Sequence, residues 1–259
     1  MSSRKIVIVG AGNVAFHLTR ALLENTLNVV QIFNRTLEKA QDLANNYNIK
    51  YTDKISEIEK ADIYIICTSD KAIPEISYYI PFEDCLVVHT SGATPITALK
   101  GKYRKGVFYP LQTFSKNKNI KYDEIPFLVE AENINDQNEL ISLGKRISEE
   151  VYVMPYEKRL PVHMSAVWAS NFTNHLYYIA GEICKKQGIP FNILVPLIKE
   201  TVDKIQNNMS PFEAQTGPAK RQDEEIINKH LQILESDPNS TRYQIYKLIT
   251  ESIIKTYHD

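Results

Sequence analysis

An imidazole, a hydroxyl and two amides lie in one stretch of this chain that carries no formal charge. From Val162 to Gly181 there is no Asp, Glu, Lys or Arg, yet His163, Ser170, Asn171 and Asn174 fall within it. With Val167 counted, their spacings of 4, 3, 1 and 3 put them on one face of a helix. Such a stripe can hold a small substrate in a cleft between two domains and manage one proton. His163 is the natural proton donor, because imidazole titrates near neutral pH. Asn171 can orient or polarise the acceptor atom, with Ser170 and Asn174 as further substrate contacts. The same groups could instead satisfy buried backbone in an interdomain seam. His175 lies off this face and reads as structural.

Other candidates sit where predicted strands end. His89-Thr90-Ser91-Gly92-Ala93 offers Ser91 as a second polarising group, and Pro110-Leu111-Gln112-Thr113-Phe114 offers Gln112 to a substrate. Thr216-Gly217-Pro218-Ala219-Lys220-Arg221-Gln222-Asp223 reads as a loop whose Gly-Pro pair fixes a turn. Arg221 could reach an anionic substrate there, while Asp223 could simply cap the next helix.

A second chemistry is written at the start of the chain. An apolar strand from Arg4 to Val9 runs into Gly10-Ala11-Gly12-Asn13-Val14-Ala15, which opens a helix, and a further strand spans Asn28 to Phe33. This is a G-x-G-x-x-A turn in a strand–turn–helix–strand unit, the pattern of a dinucleotide site. Gly10 permits the sharp turn, Gly12 leaves the pyrophosphate unobstructed, and Ala15 lets helix and sheet approach. The helix start supplies N–H groups and partial positive charge. The second strand ends in Asn34-Arg35-Thr36, where an NAD site would carry a carboxylate. Arg35 suits a 2′-phosphate, with Asn34 and Thr36 adding hydrogen bonds, so the expected cofactor is NADP(H). The alternative is that Arg35 is a solvated loop residue and Thr36 a helix cap. Cys67, Thr68 and Ser69 end another strand and should also face the cofactor, as should His89 and Ser91. Asp70 more simply starts a helix.

The elements that must position these groups divide into two regions. Up to about residue 155, strands and helices alternate as in a doubly wound, mostly parallel sheet. Strands are expected at Ile49–Tyr51, Asp62–Cys67, Cys85–Val88, Gly106–Tyr109, Ile125–Ala131 and Val151–Met154. Helices are expected at Leu37–Asn46, Ile55–Lys60 and from Asp136 to about Glu150. Lys116 to Lys121 reads as a polar loop. Beyond Pro155 only helices are legible: about 161–186, 192–208, 223–234 and 241–257, the last capped by Ser240. The expected domains are therefore 1–155, binding dinucleotide, and 156–259, an all-α domain for substrate and dimerisation.

Composition narrows the function classes. With 30 basic and 31 acidic residues the net charge is -1, which argues against a nucleic-acid binder. Met-Ser-Ser-Arg-Lys leads straight into the first strand, so no signal or transit peptide is expected and the location is expected to be cytoplasmic. Cys67, Cys85 and Cys184 show neither zinc-ligand spacing nor a disulfide framework, and the first two read as buried small hydrophobes. No metal is expected. The uncharged stretch is long enough for a membrane, but its His, Ser, Thr and Asn residues would be costly there. It reads instead as a helix buried on most sides, as hub of the second domain or core of a homodimer.

Together these motifs resemble Rossmann-like NADP-binding proteins with a helical C-terminal domain of unknown function. That family is related to pyrroline-5-carboxylate reductase and to the 6-phosphogluconate and 3-hydroxyacid dehydrogenases. The resemblance rests on Gly10–Ala15, His89–Ala93, Pro110–Phe114, His163 through Asn171, and Thr216–Ala219 with Arg221 and Asp223, and it covers essentially the whole chain. It implies a C-terminal fold like that of 6-phosphogluconate dehydrogenase. Two departures stand out. The hydroxyacid dehydrogenases place a lysine four residues before an asparagine, whereas here Val167 and Ser170 precede Asn171 and Asn174 by four. Tyr109 stands where the family is expected to carry a histidine. The function expected is an NADP(H)-dependent oxidoreductase moving hydride to or from a small imine or keto/hydroxy substrate. The alternative is a non-catalytic NADP(H)-binding redox sensor or scaffold.

Overall fold

A computed structural model of the chain describes residues 4–116, 118–234 and 240–258. Met1 to Ser3, on which the expectation of a leaderless start partly rests, and Asn117 of the expected polar loop lie outside the described residues. The chain forms two compact units, Met1–Asn171 and Phe172–Asp259.

The first unit is built on one eight-stranded sheet of order β3-β2-β1-β4-β5-β6-β7-β8. The strands are β1 (Lys5–Val9), β2 (Asn28–Phe33), β3 (Lys50–Thr52), β4 (Ile63–Ile66), β5 (Leu86–His89), β6 (Arg104–Pro110), β7 (Phe127–Ala131) and β8 (Val151–Val153). All neighbours pair parallel except β6 and β7. The mostly parallel Rossmann-like sheet read from the sequence is present, and its first six strands have the order of a dinucleotide-binding fold.

Alternation along the central strands builds two apolar layers. Ile6 and Ile8 of β1, Ile63 and Ile65 of β4 and Leu86 and Val88 of β5 face one side. There they meet Leu18 and Leu22 of α1 (Asn13–Glu24) and Leu140 and Leu143 of α4 (Ile134–Gly144). Val7, Val9, Tyr64, Ile66 and Val87 face the other side with Ile73 and Ile76 of α3 (Ile73–Tyr78). Each fully buried Ile or Leu contributes about 2 kcal/mol, so this core fixes the strand ends on which the site is built. Helix α2 (Leu37–Asn45) adds Ala40, Leu43 and Ala44 to the first layer.

Some local expectations differ from the structure. Ile55 to Lys60 is no α-helix; only Ile55–Glu57 forms a 3-10 turn. Here tertiary bonds outcompete the helical ones. Gln31 donates to the Glu57 carbonyl at 3.1 Å and accepts from Glu59 N–H at 2.8 Å, while the Tyr64 hydroxyl donates to the Glu59 carbonyl at 2.6 Å. Asn133, not Asp136, caps α4 by accepting from Asp136 N–H.

Helix α5 (Tyr156–Ala166) belongs to the first unit, so the division falls sixteen residues beyond the expected boundary. The reason is Arg159, whose guanidinium is wholly buried in this unit and paired with Glu130 of β7. A π-helical turn, Val167–Phe172, follows α5. A π turn takes an extra residue per turn, so the 3.6-residue spacing that put His163, Ser170, Asn171 and Asn174 on one face does not hold through it.

The second unit holds α6 (Thr173–Lys186), α7 (Val195–Gln206), α8 (Pro211–Ala214), α9 (Glu224–Leu234) and α10 (Thr241–His258). It is the helical region expected, and Ser240 accepts from Tyr243 N–H at the start of α10 as predicted. Its interior is scant: among its described residues only Ala219, Ile227 and Thr250 are buried. The uncharged stretch is likewise not buried within one chain. Trp168 is 64% exposed, Met164 58% and Tyr178 57%.

Among the described residues, no helix is long and apolar enough to cross a membrane, and no cluster of His, Cys, Asp or Glu could hold a metal ion.

Candidate active site

The β1–α1 turn is clamped between two strand ends. Gly10 has φ +125°, and its N–H donates to the Phe33 carbonyl of β2 at 2.7 Å. A Cβ on Gly10 would lie 2.5 Å from the Cys67 carbonyl oxygen. Both the left-handed backbone and the close approach therefore require glycine. Gly12 is the N-cap of α1, and a Cβ there would meet nothing within 4 Å. That open side faces a cavity of about 270 Å³. No acidic residue occupies the first turn of α1, so its N–H groups and positive end are available to an anion.

Of the expected cofactor residues, Gly10, Ala11, Gly12, Asn34, Arg35, Cys67, Thr68 and Ser69 line this cavity. Lys39 and Glu75 line it too, and neither was expected. Lys39 could have been found, since it lies in the first turn of the predicted helix that follows Arg35.

The other expected cofactor residues make contacts within the protein as well. The Asn13 side chain donates to the Phe114 carbonyl at 2.9 Å, and Val14 packs on the core. Thr36 stands at the N-cap of α2 without a side-chain cap, and its carbonyl accepts from Asn34 Nδ2 at 2.9 Å. The loop holding Phe114 is also fastened by His17, a buried residue of α1 that sequence reasoning passed over. Its Nε2 donates to the Ser115 carbonyl at 2.9 Å and its Nδ1 accepts from the Tyr122 hydroxyl at 3.0 Å.

Cys67 and Cys85 are buried, as read from the sequence. Burial pushes the Cys67 thiol up to about 12 and the Cys85 thiol up to about 11, so neither is a thiolate at neutral pH.

At the ends of β5 and β6 a second group converges. His89 is fully buried, and burial, aided by the Arg159 charge, lowers its pKa to about 4. It is therefore neutral, with Nδ1 accepting from Ser91 N–H at 3.2 Å. Ser91 does not stand open to a ligand. Its hydroxyl donates to Thr94 Oγ1 at 2.9 Å and accepts the N–H groups of Ala93 at 3.2 Å and Thr94 at 3.0 Å. Both residues shape the loop carrying Gly92.

Around Gly92 the geometry tightens. A Cβ there would come within 2.7 Å of the Tyr109 ring and 2.8 Å of His163 Nδ1. The Tyr109 hydroxyl and His163 Nδ1 are 3.2 Å apart. Burial raises the Tyr109 pKa, with Asp70 adding and Arg159 opposing, so its hydroxyl keeps its proton. Arg159, one turn before His163 on α5, donates to the Thr94 carbonyl at 2.8 Å and to Met154 O at 3.3 Å. In this second group, Tyr109 and Arg159 are the residues the sequence reading missed. Tyr109 was visible only as a departure from the family pattern. Arg159 had a weak signal, its i,i+4 spacing to His163.

Gln112 is exposed, its Oε1 accepting from Thr113 N–H at 2.8 Å. Ser170 is half-buried and Asn171 exposed, both in the π turn. Asn174 and Arg221 are exposed residues of the second unit, where Asp223 accepts from Ile226 N–H and so caps α9.

Residues 125–253 match the domain of unknown function DUF2520, and residues 1–96 match shikimate/quinate 5-dehydrogenase. A crystallised Bacteroides fragilis protein, provisionally named an NADP oxidoreductase, is 39% identical, with 98% of this chain and 99% of that one covered at a TM-score of 0.91. The chain belongs to the family that joins a Rossmann NAD(P)-binding domain to a DUF2520 domain.

Within and around this family the fold recurs. A Thermotoga maritima protein is similar at a TM-score of 0.82 and 24% identity, covering 98% of this chain and 100% of its own. The 1-pyrroline-5-carboxylate reductase of Streptococcus pyogenes is similar at 0.64 and 13%, again over 98% and 100%. Glutamyl-tRNA reductase from Methanococcus aeolicus is 32% identical over 71 residues, and that match spans 18% of its length and 27% of this chain.

Proposed function

We propose that the protein is an NADP(H)-dependent oxidoreductase acting on a small imine or keto/hydroxy compound. The observation that carries this reading is the position of His163. It lies against Tyr109 and Gly92, near the same carboxyl edge of the sheet from which the Gly10–Gly12 turn opens. A non-catalytic nucleotide binder has no use for a half-buried imidazole held there.

The cradle fits the cofactor: a turn bare of side chains at Gly12, unobstructed helix N–H groups, and the cations Arg35 and Lys39 on one cavity. Arg35 would hold the 2′-phosphate that distinguishes NADP(H) from NAD(H), aided by Lys39. The bound nicotinamide supplies or accepts the hydride. What remains for the protein is orientation and one proton. His163 donates that proton to the nitrogen or oxygen of the substrate, and Asn171 orients the same atom. Ser170 and Gln112, in the same unit as His163, are assigned to substrate binding. A protonated imine asks least of such a site, consistent with the absence of the lysine used by hydroxyacid dehydrogenases.

A homodimer formed through the helical region is part of this reading. A unit in which three described residues are buried, while Ile233, Ile193 and Leu197 stand more than 60% exposed, lacks the interior to be stable alone.

The decisive experiment follows nicotinamide absorbance with NADPH and a panel of cyclic imines and keto acids. At least one substrate should turn over, and His163→Ala should slow it by about 10²–10⁴-fold. Tight NADPH binding without turnover on any substrate would leave a redox sensor or scaffold in its place.

A further inference from the structure

We propose that Gly92 is a positioning residue: by carrying no side chain, it sets where the His163 imidazole stands. This rests on the assignment of His163 as proton donor, but the packing half of the claim can be measured without cofactor or substrate.

A position demands glycine either for a backbone that other residues resist or for a space that they would overfill. At Gly92 the first reason does not apply, since among the described glycines only Gly10, Gly188 and Gly217 have positive φ. The second does apply, and what fills the space is specific. The three atoms nearest to a Cβ at residue 92 are two carbons of the Tyr109 ring, both at 2.7 Å, and Nδ1 of His163 at 2.8 Å. At Gly106 and Gly144 the nearest atom belongs instead to a core aliphatic side chain, Leu140 or Val151. No main-chain atom is among the three at Gly92, so the two rings are what exclude a side chain there. They meet edge to face, with centroids 6.0 Å apart.

The loop side of this contact is fixed. The Ser91 hydroxyl accepts the N–H groups of Ala93 and Thr94, and the Thr94 carbonyl accepts from the buried Arg159. A methyl group at residue 92 is therefore relieved by the rings. Ordinary contact begins at about 3.4 Å, so imidazole and phenol must each draw back by at least about 0.6 Å. A proton donor moved that far loses its alignment with the acceptor atom, and a misplacement of about 1 Å costs on the order of 10²-fold in rate.

The test is a double-mutant cycle in urea denaturation of the full chain, with Gly92→Ala introduced into the wild type and into His163→Ala. The methyl group should lower the wild-type midpoint, and lower it by about half as much or less where the imidazole is gone. A Gly92→Ala chain that fails to fold, beside a folded double variant, is the same result in its extreme form. Equal losses in both backgrounds, a failure of both to fold included, overturn the proposal. Turnover is the readout that a merely structural glycine would not move. Gly92→Ala should keep its NADPH affinity and KM while kcat falls about 10–100-fold. An unchanged kcat, in a protein that His163→Ala impairs, overturns the positioning role. Should His163→Ala stay fully active while the cycle shows coupling, the proton-donor assignment falls and the packing at Gly92 stands.

Discussion

The buried Arg159 guanidinium donates to the Thr94 carbonyl at 2.8 Å, a hydrogen bond that fastens α5 to the loop following β5. The same side chain is fully buried and pairs with Glu130, whose carboxylate is largely shielded. Breaking one side of such a pair strands the other charge. Arg159→Met should cost about 3 kcal/mol in urea denaturation. Arg159→Met with Glu130→Gln should recover part of that loss, because no charge is left alone. If the double variant is as unstable as the sum of the two single variants, the two residues are not coupled.

His89 gives the protein an acid-sensitive core. Its pKa falls from 6.5 in the unfolded chain to about 4 when folded, chiefly by burial. The unfolded state thus binds a proton at a pH where the folded state does not. Its contribution is fully present above about pH 6.5 and is lost as the pH falls toward 4. At about 1.4 kcal/mol per unit the loss is on the order of 3 kcal/mol. Urea midpoints should fall across this window in the wild type and noticeably less in His89→Gln. Parallel curves for the two proteins would refute the assignment.

Cofactor choice should turn on Arg35. Removing a charge-assisted bond to a 2′-phosphate costs about 1.5–3 kcal/mol, roughly a 10–100-fold loss of affinity. Calorimetry on Arg35→Ala should show that loss for NADPH and little change for NADH. Equal weakening of both nucleotides would mean that Arg35 does not read the phosphate.

Association is expected at micromolar concentration. Sedimentation should give twice the chain mass, and Ile193→Glu with Leu197→Glu should shift the population toward monomer while the first unit stays folded. A wild-type monomer at every concentration would remove the dimer from the proposal.

How much of this was legible in the residues follows from the physics of each part. Runs such as Ile6–Val9 and Leu86–Val88 declare buried strands because burial on both faces demands them, and the Gly10–Gly12 turn declares its ligand class. The reversed direction of β7 was hidden, since local propensity carries no strand direction. Ile55–Lys60 looked helical because the bonds from Gln31 and Tyr64 that dissolve the helix come from elsewhere in the chain. The shared face read for the His163 stripe rested on α-helical spacing: one π turn shifts every later position, and the spacing of side chains does not announce it. Ser91 looked like a catalytic hydroxyl because residue type cannot show that neighbouring N–H groups already claim it.

The strand reversal has a consequence for how the molecule comes apart. Strands β7 and β8 run against the other six, so the chain leaves β8 heading away from the carboxyl edge. Helix α5 must double back before His163 can reach Tyr109, 54 positions earlier in the chain. That contact joins a helix to a strand end across β7, α4 and β8, so its geometry depends on how those elements are docked. It is a latch: freeing α5 would part His163 from Tyr109 and leave the strand pairings of β1 to β6 untouched.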